Sequence, residues 1–196
     1  LLELSNQVKH FCYLDSNNYP NYPYSTFGSL FAIDAVDVIS VNKDCLEQFE
    51  EFQKQYKDWL FGFLNYDLKN EIEPNLQSNK VDNIQNPLLH FFVPKYLVKI
   101  ENGIVEIGIN DNELLYEFQQ LLELTTNSRQ AIRISDYKIK NRISKHEYIN
   151  IIEKIKNHIQ LGDIYEMNFC QEFYAENSEI NPVAVFQKLN KISKAP

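Results

Sequence analysis

The 196-residue sequence lacks the features that identify membrane and secreted proteins. It has no apolar run near the ~20 residues of a membrane-spanning helix and no signal peptide at its start, so no membrane association is expected. Its three cysteines, Cys12, Cys45 and Cys170, are odd in number and unevenly spaced. They indicate reduced, mostly buried thiols of a cytoplasmic protein rather than a disulfide framework.

Basic residues and catalytic motifs are also scarce. The chain has 19 Lys and Arg against 27 Asp and Glu, a formal net charge of −8, so no basic stripe predicts a nucleic-acid partner. The four histidines form no HxxxH pair and the cysteines no CxxC pair, so no metal site is expected in this chain. There is no GxSxG element of a serine nucleophile and no glycine-rich phosphate loop of a doubly wound sheet.

What the chain does contain is aromatic and β-rich, with 13 Phe and 12 Tyr. Short strands are predicted over residues 11–14, 27–33 and 36–41, and a strand at 88–93 is expected to end at Pro94. Residues 59–68 are predicted to form a central strand in which Gly62 allows close packing. Residues 96–101 and 104–109 flank Asn102 and Gly103, the strongest hairpin signal in the chain.

Single helices interrupt these strands. One is predicted after Asp44, which with Glu47 resembles a capping signal, and another after Asp111. Strands that come in meanders and hairpins favour an α+β fold with mainly antiparallel sheets. The polar connector at 125–142, which includes a possible strand at 131–134, predicts two domains, 1–137 and 138–196.

Residues 144–173 carry the sharpest local pattern. Ser144 and Glu147 form a capping box, and Gly162 is expected to end the helix that follows. From residue 164 to 173 the apolar period changes from helical to two, which predicts an amphipathic strand. Glu166, on the polar side of that strand, is the acidic residue best suited to face a cavity, although a solvated position is commoner. A second acidic cluster, Asp67, Glu71 and Glu73, fits either an acid/base pair or a solvated rim.

Four blocks of sequence, in order, resemble the chorismate-utilising enzymes. Residues 162–173 read GDIYEMNFCQEF, which is similar to the motif that opens the family's chorismate-binding domain. Residues 189–196 read LNKISKAP, which resembles the LN-x-x-[KR]-AP segment of the aminodeoxychorismate synthase component I branch, also called para-aminobenzoate synthase. Residues 13–27 and 61–73 resemble the family's LLxS…YSRF and GYDL-x-x-x-x-E elements.

The resemblance implies a fold of orthogonally packed antiparallel sheets flanked by helices. It also implies replacement of the 4-hydroxyl of chorismate by an amine, with ammonia from a glutamine amidotransferase and Mg²⁺ as cofactor. The family's catalytic and Mg²⁺-binding residues lie downstream of Pro196, so no catalytic residue and no metal ligand is expected here. Because the sequence starts at Leu1 rather than Met, both ends are expected to be cut.

The resemblance further implies a tryptophan pocket formed in part by Ser16 and Pro196. A hydroxyl and a backbone carbonyl suit an ammonium group, and apolar walls suit an indole. Two positions depart from the family pattern, Thr26 in place of an arginine and Glu166 in place of a glutamine. Ser16 as a simple turn cap, the anthranilate synthase component I branch, and a non-catalytic amino-acid-binding module all stay open as alternatives.

Overall fold

The computed structural model describes residues 1–17, 27–73, 75, 82–109, 112–126 and 138–194. The chain divides into two compact units, one made of Leu1–Gln130 with Val183–Pro196 and the other of Ala131–Pro182. The sequence did not predict that the last helix belongs to the first unit. The predicted domain boundary after residue 137 stays a prediction.

The first unit is an antiparallel sheet with helices around it. The sheet runs in the order β1, β2, β4, and both β3 and β5 pair with β4. Its strands are β1 Phe11–Asp15, β2 Ser29–Val41, β3 Phe61–Leu64, β4 Leu89–Glu101 and β5 Ile104–Gly108. Its helices are α1 Cys45–Gln55, α2 Lys69–Ile72, α3 Asn112–Thr126 and α5 Pro182–Ile192, with 3₁₀ turns at Leu2–Asn6 and Tyr66–Leu68. The predicted α+β class with antiparallel strands is confirmed.

The two long strands, β2 and β4, replace pairs of short strands that the sequence predicted. The prediction that Pro94 ends its strand is wrong, because β4 continues through it to Glu101. The register between β2 and β4 shifts between Ala35 and Asp37, and Pro94 lies opposite Ala35 beside this irregularity. Proline cannot donate to a ladder, and a bulge is the place where a sheet tolerates that loss.

Strand β3 is short and lies at an edge, so the prediction of a central strand over residues 59–68 is wrong. It pairs only with β4 among the described strands, and Phe63 and Leu64 are exposed. The predicted role of Gly62 is confirmed, since a Cβ there would lie 1.9 Å from the His90 carbonyl oxygen. The two backbones can approach this closely only where no side chain separates them.

The hairpin between β4 and β5 is confirmed. Asn102 and Gly103 both have positive φ, 51° and 78°, as the two central residues of a tight hairpin turn require. Helix α3 follows as predicted, and its Phe118 is buried against Tyr96. Its expected cap, Asp111, and the possible strand at 131–134 lie outside the described residues.

Helix α1 is present but is not capped as predicted. Asp44 has a left-handed backbone, φ 50°, and its side chain makes no capping bond. An N-cap side chain reaches the first-turn amides from an extended backbone, which Asp44 does not have. Glu71 takes this role instead, because its Oε1 accepts the Cys45 N–H at 2.7 Å.

Three clusters of buried side chains form the core of the first unit. Leu4, Phe31, Ile33, Tyr96, Val98 and Phe118 form one; Ile39, Cys45, Phe52, Leu68, Leu89 and Val93 form another; Leu30, Ala32, Phe61 and Phe92 form the third. Burial, followed by the nearby Glu71 carboxylate, raises the pKa of Cys45 to about 11. Burial also raises the pKa of Cys12. Cys170 is exposed, so the expectation of buried thiols is wrong for that residue.

In the second unit, the predicted helix is confirmed as α4, Lys145–Leu161. Ser144 Oγ accepts the Glu147 N–H, and the Glu147 carboxylate accepts the Ser144 N–H, which completes the capping box. Gly162 ends the helix with φ 81°. Hydrogen bonding from the Ser144 backbone N–H, followed by that from the Ser144 side chain, lowers the pKa of Glu147.

The prediction of an amphipathic strand over residues 164–173 is wrong for most of these residues. Only β7, Phe173–Tyr174, is in a ladder, and its partner is β6, Lys140–Asn141. A strand needs a neighbour for its backbone hydrogen bonds, and no described strand lies beside residues 164–172. The short ladder is reinforced by Arg142, which bonds both carboxylate oxygens of Glu172 and lies 4.0 Å from the centre of the Tyr174 ring.

Candidate functional site

The candidate site lies where β1 ends and β2 begins. The Ser16 N–H donates to the Gly28 carbonyl oxygen at 2.8 Å, just beyond the pairing of Asp15 with Ser29. Gly28 also lies close to the end of β4, because a Cβ at this position would lie 2.6 Å from the Ile100 carbonyl oxygen. Three strand ends therefore meet within a small volume, and a glycine makes that approach possible.

A cavity of about 390 Å³ opens at these strand ends. Its volume falls within the roughly 300–1,000 Å³ of small-molecule pockets. Its walls are mainly polar and come from the ends of β1, β2 and β4 and the hairpin turn. They are Asp15, Ser16, Phe27, Gly28, Ser29, Ile100, Glu101 and Asn102.

Two carboxylates give this cavity an acidic character. Asp15 accepts hydrogen bonds from the Tyr13 hydroxyl and, at 2.9 Å, from the Asn17 N–H. Burial, followed by the bond to Asp15, raises the pKa of Tyr13, so this hydroxyl keeps its proton and remains a donor. Glu101 is paired with Lys99 at 2.7 Å. Such a wall offers acceptors to an ammonium group.

A second, more apolar cavity of about 370 Å³ shares Phe27 with the first. Trp59, which is 56% exposed, stacks on Phe61 and lines this cavity. Its walls are Phe27, Leu30, Trp59, Leu97, Lys99, Glu106 and Gly108. Phe27 is thus an aromatic side chain common to a polar and an apolar recess.

Helix α5 is held to the end of β1 next to the first cavity. The side-chain amides of Asn17 and Asn190 bond each other reciprocally, with both N···O distances 2.9 Å. The rings of Tyr13 and Phe186 meet edge to face with centroids 5.7 Å apart. Asn190 belongs to the LNKISKAP segment, so this segment starts beside Ser16.

Of the two residues predicted for the tryptophan pocket, the structure places Ser16 in the wall of the 390 Å³ cavity. Pro196 and Thr26 lie outside the described residues. The turn after β1 is closed by Asp15, whose Oδ1 accepts the Asn17 N–H. Glu166 is exposed, and none of the described cavities includes it.

The acidic cluster after β3 has the arrangement of a structural rim rather than an acid/base pair. Glu71 bonds the start of α1, and Asp67 pairs with Lys69 at 3.2 Å. Glu73 is exposed. The three carboxylates thus have different surroundings and do not converge on a common point.

Sequence reasoning missed Glu101, Asn102 and Asn190 as neighbours of the site. The Asn102–Gly103 turn was predicted, but nothing local indicated that it lies beside the end of β1. Phe186 and Asn190 are four residues apart and share one face of α5. That spacing is a usable signal for a docked helix, but it does not identify the surface to which the helix docks.

Within the described ranges, no three His, Cys, Asp or Glu side chains converge in a way that could hold a metal ion. These residues therefore do not fit a Mg²⁺ site. None of the described helices is both long enough and apolar enough to cross a membrane.

Comparison with known proteins agrees with this fold. Residues 9–196 match the chorismate binding enzyme family. Anthranilate synthase component 1 from Buchnera aphidicola subsp. Rhopalosiphum padi is 28% identical over 163 residues, 77% of this chain and 31% of that protein. An anthranilate synthase component I-like protein from Synechocystis is 26% identical over 141 residues, 70% of this chain and 29% of that protein.

The crystal structure of anthranilate synthase component I from Streptococcus pneumoniae TIGR4 aligns with a TM-score of 0.65 at 19% identity. The alignment covers 83% of this chain and 45% of that one. At 19% identity this alignment supports similarity of fold alone. The chain spans less than a third of the length of the Buchnera and Synechocystis relatives. Because the family match extends over nearly the whole sequence, this chain belongs to the chorismate binding enzyme family.

Proposed function

We propose that this chain is the N-terminal part of aminodeoxychorismate synthase component I. The observation that carries the proposal is the match of residues 9–196 to the chorismate binding enzymes, together with the LNKISKAP segment at residues 189–196. That segment resembles the aminodeoxychorismate branch of the family, and Asn168 stands where the anthranilate branch usually lacks an asparagine. The product would enter para-aminobenzoate and folate synthesis in the cytoplasm.

The proposed reaction joins ammonia to C4 of chorismate. The C4–O bond breaks, a C–N bond forms, and the hydroxyl leaves as water, which gives 4-amino-4-deoxychorismate. Ammonia would come from a glutamine amidotransferase subunit. Mg²⁺, held by residues beyond this chain, would neutralise substrate carboxylates and polarise the leaving hydroxyl.

Anthranilate synthase component I is the second candidate. It is favoured by the names of the Buchnera relatives, which are 27–28% identical to this chain. The two candidates share the substrate and the ammonia source and differ in product, since anthranilate formation also releases pyruvate. Identities in this range do not separate the two activities.

We propose the 390 Å³ cavity, with Ser16 in its wall, as the amino-acid-binding pocket that the resemblance implies, with tryptophan as the ligand. Pro196, the second residue of the implied pocket, lies outside the described residues. Support comes from the position of Ser16 in a mainly polar wall that also holds the Asp15 and Glu101 carboxylates. These groups can accept hydrogen bonds from a ligand ammonium, and Phe27 offers an aromatic surface to an indole. A free-standing amino-acid-binding module without chemistry would use the same pocket.

The test of the enzymatic proposal is a product assay on the full-length gene product with chorismate, Mg²⁺ and an ammonium salt. Formation of 4-amino-4-deoxychorismate, separated by chromatography and identified by mass, supports the first candidate. Anthranilate with equimolar pyruvate supports the second. Calorimetry with tryptophan adds the third comparison, because tryptophan binding without any turnover of chorismate would indicate the non-catalytic module.

A further inference from the structure

We infer that Asn17 and Asn190 are positioning residues for the cavity beside Ser16, which they shape by holding helix α5 against the end of β1. This inference deepens the proposed amino-acid pocket, and its ligand measurement rests on that proposed function. Its second measurement, on the ligand-free protein, does not.

The first support is the form of the contact. Each asparagine amide has a donor and an acceptor group, and here each side chain donates to the other and accepts from it at 2.9 Å. Both side chains are partly buried, and a truncation on either side removes both hydrogen bonds of the pair. Residues 17 and 190 are 173 positions apart in sequence, so this pair closes a long loop.

The second support is that the contacts form a continuous set on one strand and one helix face. Tyr13 and Asp15 are two positions apart on β1 and therefore lie on the same face of the strand, and their side chains bond each other. Tyr13 also contacts Phe186, and Asn17 contacts Asn190. Since Phe186 and Asn190 are one helical turn apart, α5 is attached to this strand end at two points.

The third support is the position of Asp15 and Ser16 in the cavity wall. Asp15 Oδ1 accepts the Asn17 N–H, so the conformation of Asn17 is linked to the carboxylate that faces the cavity. The Ser16 N–H donates to the Gly28 carbonyl oxygen, so exchange of this amide reports on the same strand end. If Asn190 no longer restrains Asn17, the wall formed by residues 15 and 16 keeps only the Tyr13–Phe186 contact on the α5 side.

The experiment compares four forms of the full-length gene product with the wild type: N17A, N190A, the double variant and K188A. Lys188 is an exposed residue of the same helix and serves as the matched control. Amide hydrogen exchange at Ser16 is measured without ligand, with Val98 in the buried core as the internal reference. The dissociation constant for L-tryptophan is measured on the same samples by calorimetry.

N17A and N190A are each expected to raise the Ser16 exchange rate by about five- to tenfold, the low end of the effect of losing both hydrogen bonds of the pair, while Val98 and the K188A protein stay at wild-type rates. The double variant is expected to resemble either single one, because the pair acts as a unit. Tryptophan affinity should weaken in the same variants by a similar factor. Exchange at Ser16 that is unchanged in N190A, or raised equally at Val98, would overturn the inference. If wild-type protein does not bind tryptophan, the proposed ligand is wrong, and the exchange rates alone decide this inference.

Discussion

Replacing Gly28 by alanine tests the steric basis of the cavity. The added Cβ would lie 2.6 Å from the Ile100 carbonyl oxygen, whereas Cβ atoms in real structures stay beyond 3.0 Å. Because the opposing atom belongs to the backbone, β2 and β4 must separate by several tenths of an ångström at their Ser29–Ile100 pair. Overpacking of this kind lowers the free energy of unfolding by about 1–3 kcal/mol. Alanine also lowers the entropy of the unfolded chain, which offsets only about 0.4–1 kcal/mol of this loss.

The net loss of about 1–2 kcal/mol corresponds to a fall in Tm of roughly 2–8 °C for a domain of this size. Gly108→Ala is the matched control, because its Cβ would meet the Leu97 Cβ at an ordinary 3.6 Å. We expect Gly108→Ala to leave Tm unchanged or slightly raised. The assay is thermal unfolding of the wild type and both variants under one buffer condition. A Gly28→Ala protein as stable as the Gly108→Ala protein would refute the close approach of Gly28 to Ile100.

Three further predictions concern local contacts. Glu71→Ala should cost roughly 0.5–2 kcal/mol in denaturant unfolding because the Cys45 N–H loses its acceptor, whereas Glu71→Gln and Glu73→Ala should cost much less. Ser144→Ala should lower the free energy of unfolding by about 1 kcal/mol and speed amide exchange at Glu147. A Glu147 exchange rate equal to that of the wild type would contradict the capping box. Burial, followed by the charge of nearby His10, lowers the pKa of His90 below its unfolded value of about 6.5. The folded state therefore binds fewer protons than the unfolded state. The contribution of His90 to the free energy of unfolding should be fully present above pH about 6.5 and be lost as the pH falls through its lowered pKa. His90→Gln should flatten this fall relative to the exposed-site control His146→Gln.

Local signals predicted the elements whose stability is local. The capping box at Ser144, the left-handed Gly162 and the Asn102–Gly103 turn all depend on residues within a few positions of one another. Each was confirmed, because their geometry follows from backbone conformation and short-range hydrogen bonds. The α+β class was predictable for the same reason, since hairpins and single helices are visible in the order of elements.

The wrong predictions share a dependence on distant partners. Pro94 was expected to end a strand, but the irregularity opposite Ala35 accommodates it. Asp44 had the residue type of a cap, yet Glu71, 27 positions later in sequence, supplies the acceptor to the α1 start. Residues 164–172 have the alternation of a strand but no described neighbour to pair with. An alternating sequence pattern indicates which side chains would share a face, but it does not indicate whether a partner strand is present.

The tryptophan pocket at Ser16 and Pro196 stays a prediction. The structure places Ser16 in a cavity wall, and Asn190 and the hairpin turn come near it through tertiary packing. No sequence spacing specifies that helix α5 returns to the first unit. That return brings Asn190, near the end of the chain, into contact with Asn17, near its start.

The most direct test of the central claim is the identity of the product that the full-length gene product makes from chorismate. With Mg²⁺ and ammonium, we expect a 4-amino-4-deoxychorismate peak that grows linearly with enzyme concentration and is absent without chorismate. Accumulation of anthranilate and pyruvate instead would contradict the proposed specificity. No consumption of chorismate by the correctly folded protein would contradict the assignment of an enzymatic role.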